Sequence, residues 1–185
     1  MQLSKKEIIF FKSHGWLKVN SLLNKSELKI VKNKINNFLK KNANKYSGRD
    51  INYLDNIKKF SKINSFHRLH DLKWIKSFIK QDKIYNNTKK LLNTKKLELK
   101  ASEYFAKPKR KGLPVPVHQD NYYWNVVGNK ALTLWIALTE SSKKNGAIFY
   151  FDKSHRSGIL KHKASYAKGS SQTIKNQKSL KKFKK

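Results

Sequence analysis

Apolar side chains recur at helical spacing through the first half of this chain and at alternate positions through much of the second. Residues 7 to 19 are apolar and aromatic around His14-Gly15-Trp16, which predicts a short helix turning into a short strand at Trp16 to Val19. Asn24 followed three positions on by Glu27 is a helix-start signature, and Leu28, Val31, Ile35, Phe38 and Leu39 continue it as an amphipathic helix. The polar, Asn- and Lys-rich stretch from Lys40 to Asn64 predicts loop. Asp71 is placed to cap a second helix through Leu72, Ile75, Phe78 and Ile79, and a third carries Ile84, Leu91 and Leu92 up to Asn93.

Beyond Asn93 the period shortens to two. Leu97, Leu99, Ala101, Glu103 and Phe105 alternate with Glu98, Lys100, Ser102 and Tyr104, as in a strand with one face buried. Pro114-Val115-Pro116-Val117 predicts a stiff extended lead-in to His118, because each proline confines its predecessor to extended backbone. Leu132, Leu134, Ile136 and Leu138 alternate in a further strand, and the Asn145-Gly146 turn opens another at Ala147 to Phe151. From Lys161 to Lys185 there are nine lysines, no acidic residue and few large apolar side chains, a composition that predicts mostly irregular structure, or strand and loop material whose partners are missing. Helices followed by strands make an α+β order, with helices packed on a sandwich or barrel. One domain accommodates the 185 residues: a mainly helical part at 1–95, the strands at 96–160 and a Lys-rich tail at 161–185.

Composition narrows the chemistry. There are no cysteines, which removes disulfides, thiolate metal sites and cysteine nucleophiles. The first apolar run, Ile8 to Phe11, is too short for a signal-peptide core, and no run approaches the length of a membrane span, so a cytoplasmic location is the default expectation. A formal charge of +32 raises nucleic acid as a partner, yet only four of the 43 basic residues are arginine (Arg49, Arg68, Arg110 and Arg156). Arginine is the residue of bidentate phosphate and base recognition. Lysine spread over the whole chain beside abundant Asn and Ile matches an AT-rich coding bias, and the expectation is no specific nucleic-acid partner.

The triplet His118-Gln119-Asp120 carries the candidate chemistry. In an extended stretch residues two apart point the same way, so an imidazole and a carboxylate could meet one ion. That donor set suits non-haem Fe(II), with Zn and Mn as rivals, and two solvated loop residues is the plain alternative. The pair at His67 and His70, in a polar segment, reads as surface or packing, as does His14.

The run Pro114 to Trp124 containing that triplet, followed by Ala131 to Leu138, Asn145-Gly146-Ala147, Ser154-His155-Arg156-Ser157-Gly158 and the amino-terminal pattern ending in Gly15-Trp16, resembles the phytanoyl-CoA dioxygenase family. The resemblance implies a double-stranded β-helix (jelly roll) with amino-terminal helices, binding Fe(II) and 2-oxoglutarate and using O2 to hydroxylate a small organic substrate. It implies His118 and Asp120 as metal ligands. It further implies Gln119, Trp135 and Lys107 around the co-substrate, with Lys100 and Lys109 as alternatives to Lys107. The family pattern also includes a later histidine and an arginine, neither of which is found after Asp120, where the histidines are His155 and His162 and the arginine is Arg156. Three readings stay open: a chain that stops before the last jelly-roll strands, a shortened homologue without activity, and an enzyme recruiting His162 or His155 as third ligand. A catalytically dead jelly roll, pairing with another chain through an open sheet edge, and a basic polyanion-binding protein are the alternatives to an oxygenase.

Overall fold

The computed structural model describes residues 1–108, 112–128, 130–167 and 170–185. Its amino-terminal half is helical as the spacing predicts. Helix α1 (Lys5–His14) opens on a capping box between Ser4 and Glu7 and closes at Gly15, whose φ of 80° supplies the left-handed turn. Helix α2 (Lys25–Asn42) opens on the Asn24/Glu27 box and buries Val31, Ile35 and Leu39, one stripe at i, i+4, i+8.

That stripe packs on structure the polar pattern concealed. Within the stretch expected to be loop, β1 (Ile51–Tyr53) and β2 (Ile63–Phe66) pair antiparallel. Strand β2 is central, flanked on its other side by β3 (Tyr104–Phe105), with Ser65 opposite Phe105 and Phe66 opposite Tyr104. All four β2 residues are buried, Phe66 completely. Its sequence, Ile-Asn-Ser-Phe, has no apolar alternation, because Asn64 and Ser65 are buried with hydrogen-bond partners in place of apolar contacts: the Asn64 carbonyl accepts from the Ala106 N–H and Ser65 Oγ accepts from Asn52. Val31, Ile35, Leu39, Ala43, Ile51, Ile63, Phe66, Leu69 and Ile75 form one contiguous core.

Helix α3 (Lys73–Ile79) starts from Leu72 without a side-chain cap. Asp71 is spent elsewhere, accepting from Arg68 Nε at 2.7 Å, which corrects its expected role as cap. Helix α4 (Asp82–Leu92) ends at Asn93 in the left-handed region (φ 49°), as its sequence predicts. The strand expected over 97–105 shrinks to β3, with the partly buried side switching from Leu97 and Leu99 to Tyr104; no strand forms at 16–19.

The carboxyl-terminal half departs furthest from expectation. Residues 131–138 and 147–151 make no strand pairing, and Leu134, Trp135, Ile148, Phe149 and Tyr150 are each 43–48 % exposed. Among the described residues the architecture is a mixed α+β one with two small antiparallel sheets and without the strand pairing of a jelly roll. Conversely, in the tail it is the strand-and-loop alternative that holds, with the strands pairing each other. Strands β4 (His162–Ala167) and β5 (Ser170–Ile174) form a hairpin, and a 3-10 turn at Gln177–Lys182 follows; Ile174 and Leu180 are buried. Two apolar anchors and a ladder compensate for a composition too polar to predict them.

The two halves are joined at the end of α1. The free carbonyls of its last turn accept hydrogen bonds from far along the chain: Lys12 from His155 Nε2, Ser13 from the Arg156 guanidinium and His14 from the Lys153 N–H. Asp152 completes the joint, accepting from His14 Nδ1 at 2.7 Å and Trp16 Nε1 at 3.0 Å. Gly15 is required there, since a β-carbon would fall 2.2 Å from His155 Nδ1.

Candidate metal centre

The lead-in to His118 is clipped onto the carboxyl-terminal hairpin. The Val117 carbonyl accepts from the Ile174 N–H and from Thr173 Oγ1, and the Gln119 N–H donates to His162 Nε2 at 3.0 Å. Asp120 has helical backbone angles (φ −58°, ψ −37°) and leads into the short helix α5 (Asn121–Trp124). The expected geometry of two side chains on one strand face is therefore corrected. His118 and Asp120 meet because the chain turns between them, and His118 Nε2 lies 3.2 Å from Asp120 Oδ1.

The surroundings orient both groups. His118 Nδ1–H donates to the Pro116 carbonyl at 2.8 Å, which directs Nε2 towards Asp120. Asp120 Oδ2 accepts from Thr133 Oγ1. The hydrogen bond with Asp120 raises the His118 pKa above the ordinary histidine value, against the opposing effect of burial, with the more distant Glu103 charge adding to the rise. His118 and then Thr133 hold the Asp120 carboxyl below the usual carboxylate range, although burial pushes it the other way. Desolvation raises the Tyr150 hydroxyl, and the Asp120 charge adds to it. Thr133, Tyr150 and Glu103 thus belong to this neighbourhood. Thr133 was legible only as an outward position of an alternating segment.

A metal at bond lengths of about 2.1 Å and right-angle geometry sets neighbouring ligand atoms about 3 Å apart, so the His118–Asp120 spacing fits one edge of a coordination shell. A third protein ligand does not join them: among the described residues no group of three His, Asp or Glu side chains is placed to hold an ion. His162 is close but occupied, because Nε2 accepts from Gln119 and Nδ1 donates to the Leu160 carbonyl at 2.8 Å. His155 belongs to the α1 joint.

Gln119 spans to the 158–160 segment, with Nε2 donating to the Gly158 carbonyl at 2.9 Å and Oε1 accepting from the Leu160 N–H at 2.7 Å. Trp135 is half-exposed. The Lys107 side chain runs over Gly146, where an added β-carbon would lie 3.0 Å from its Cδ. Lys100 faces Glu98 at 3.5 Å, and Lys109 lies outside the described residues, as does Arg110.

His67 has the carboxylate partner its local sequence lacked: Nδ1 donates to Glu103 Oε1 at 3.0 Å while Nε2 accepts from Ser65 Oγ at 2.8 Å. This serine–histidine–carboxylate line is structural, because Ser65 is 2 % exposed and no acyl substrate could reach its oxygen.

No curated protein matches the chain. The family model for phytanoyl-CoA dioxygenase (PhyH) matches residues 11–183, a span that takes in the last turn of α1, the core, the His118–Asp120 centre and the hairpin behind it, and the chain belongs to that family.

Proposed function

We propose that the chain is an Fe(II)- and 2-oxoglutarate-dependent dioxygenase acting on a small organic substrate, with His118 and Asp120 as its metal ligands. The observation that carries this reading is the 3.2 Å approach of His118 Nε2 and Asp120 Oδ1, with the other imidazole nitrogen tied back to Pro116. Bound Fe(II) with 2-oxoglutarate and O2 supplies the oxidative decarboxylation that hydroxylates a C–H bond and releases succinate and CO2. The protein's own contribution is to hold the two donors converged, to keep His118 in the tautomer with a free Nε2, and to orient Asp120 through Thr133. Gln119 serves by fixing the 158–160 segment and keeps one amide hydrogen for the co-substrate. Trp135 is assigned to the pocket wall and Lys107 to the co-substrate carboxylates. The alternating sequence of segments 131–138 and 147–151, which bring Thr133 and Tyr150 to Asp120, is the ground for a jelly-roll framework built as a single domain.

That no third His, Asp or Glu among the described residues is placed to hold an ion together with this pair favours a second reading, a family member without turnover. One experiment separates them. Anaerobic Fe(II) titration with 2-oxoglutarate should produce the weak visible charge-transfer band, and His118→Ala should abolish it. A band followed by succinate formation once O2 is admitted supports the dioxygenase; a band without succinate after O2 supports the silent member; no band in the unmodified protein removes the metal assignment.

A further inference from the structure

The carboxyl-terminal hairpin holds an aromatic ring in full solvent. Tyr166 is 96 % exposed and has φ of 56°, in the irregular part of the β4–β5 ladder between Ala164 and Ala167. A bulky side chain in the left-handed region is unfavourable, and burial returns nothing for it here. Tyr166 borders an open cleft of about 540 Å³ lined also by Pro116, Lys163, Ser165, Thr173 and Gln177. Two further phenols flank the same hairpin: Tyr122, 41 % exposed, stacks on His162 with ring centres 4.1 Å apart, and Tyr123, 46 % exposed, places its hydroxyl 3.1 Å from Ser170 Oγ.

The hairpin and the chain that flanks it carry charge of one sign. From Lys153 to Lys185 the chain has eleven basic residues and no acidic one. Lys161, Lys163 and Lys175 are exposed on the hairpin, the first and last joined through the Lys175 N–H and Lys161 carbonyl at 2.8 Å. Lysine spread along a chain is a solvated surface; lysines at the open end of one hairpin with a free aromatic ring towards its turn are a different arrangement. Phosphates find point charges, and an unstacked base finds a ring. The rarity of arginine removes bidentate base reading, so no sequence preference accompanies it.

We propose that the β4–β5 hairpin is a binding surface for single-stranded nucleic acid, with Tyr166 stacking on a base and Lys161, Lys163 and Lys175 meeting the backbone. Paired strands hold their bases stacked on one another and offer Tyr166 no face.

The test is fluorescence anisotropy of the full chain with a labelled oligothymidylate, an oligouridylate and an abasic deoxyribose-phosphate strand of equal length. Both base-bearing strands should bind more tightly than the abasic one. Tyr166→Ala should weaken them roughly 5- to 150-fold while leaving the abasic strand unchanged, and Tyr166→Trp should restore binding. Because the ring is solvent-exposed, Tyr166→Ala should melt with the unmodified protein. Equal affinity for abasic and base-bearing strands would reduce the surface to charge alone and overturn the proposal. So would a Tyr166→Ala effect confined to anionic phosphatidylserine vesicles, which would place a membrane there.

Discussion

The hydrogen bond that brings His118 and Asp120 together also sets their response to pH. Asp120 is held below the ordinary carboxylate range and His118 above the ordinary histidine value. The Asp120 contribution to stability is present above its unfolded pKa and is lost as pH falls through the lowered folded value. The His118 contribution is complete below its unfolded pKa and is lost as pH rises through the raised one. Without metal the pair is therefore most stabilising in the mildly acidic window between the two. Metal reverses the upper limit, because a proton and an ion compete for His118 Nε2. Fe(II) affinity should rise as pH rises through the elevated histidine pKa, approaching tenfold per pH unit below it; titrations at a series of pH values read this directly, and a flat profile would contradict His118 as ligand. Thr133→Val should weaken Fe(II) binding by about an order of magnitude by releasing Asp120, measured in the same titration.

At the scale of elements, β2 bears the fold. It is sandwiched between β1 and β3 and packed against the Val31–Ile35–Leu39 stripe of α2. Phe66→Ala should cost about 3–5 kcal/mol in urea unfolding, whereas truncating Trp135, half-exposed outside that core, should cost far less. The α1 joint is the second critical element. Asp152→Ala removes the acceptor shared by His14 and Trp16; hydrogen exchange across residues 5–14 should quicken while amides of α2 stay protected. Uniform quickening of both would show that the joint and the core open as one.

Over the whole molecule, two tendencies oppose each other. Half-exposed apolar side chains cluster at 134–135 and 148–150, in segments without ladder partners, which favours association through unpaired backbone. A net charge of +32 repels like molecules. Raising salt from about 0.05 M to about 0.5 M shortens the Debye length from roughly 14 Å to roughly 4 Å, so light scattering should show self-association growing with salt. Charge-driven aggregation would run the other way. Ligation should register globally as well: Fe(II) at about 100 times its Kd should add about 2.7 kcal/mol to unfolding, and His118→Ala should erase that gain.

Local physics was sufficient for the helices. The capping boxes at Ser4/Glu7 and Asn24/Glu27, the apolar stripe of α2 and the left-handed stop at Asn93 are interactions among residues a few positions apart, so their sequence alone determined them. The candidate ligands were legible for a related reason, since a single residue, Gln119, separates the imidazole of His118 from the carboxylate of Asp120. Tertiary structure decided the rest. The polar β2 is a strand because β1, β3 and α2 surround it, and the Lys-rich tail is a hairpin because Val117 lends it a third hydrogen-bonding edge. His162 is a positioning residue because Gln119 claims its free nitrogen, and His67 is paired because Glu103 arrives from 36 positions away. Each of these depends on a partner distant in the chain, whose arrival no local pattern of polar and apolar residues encodes.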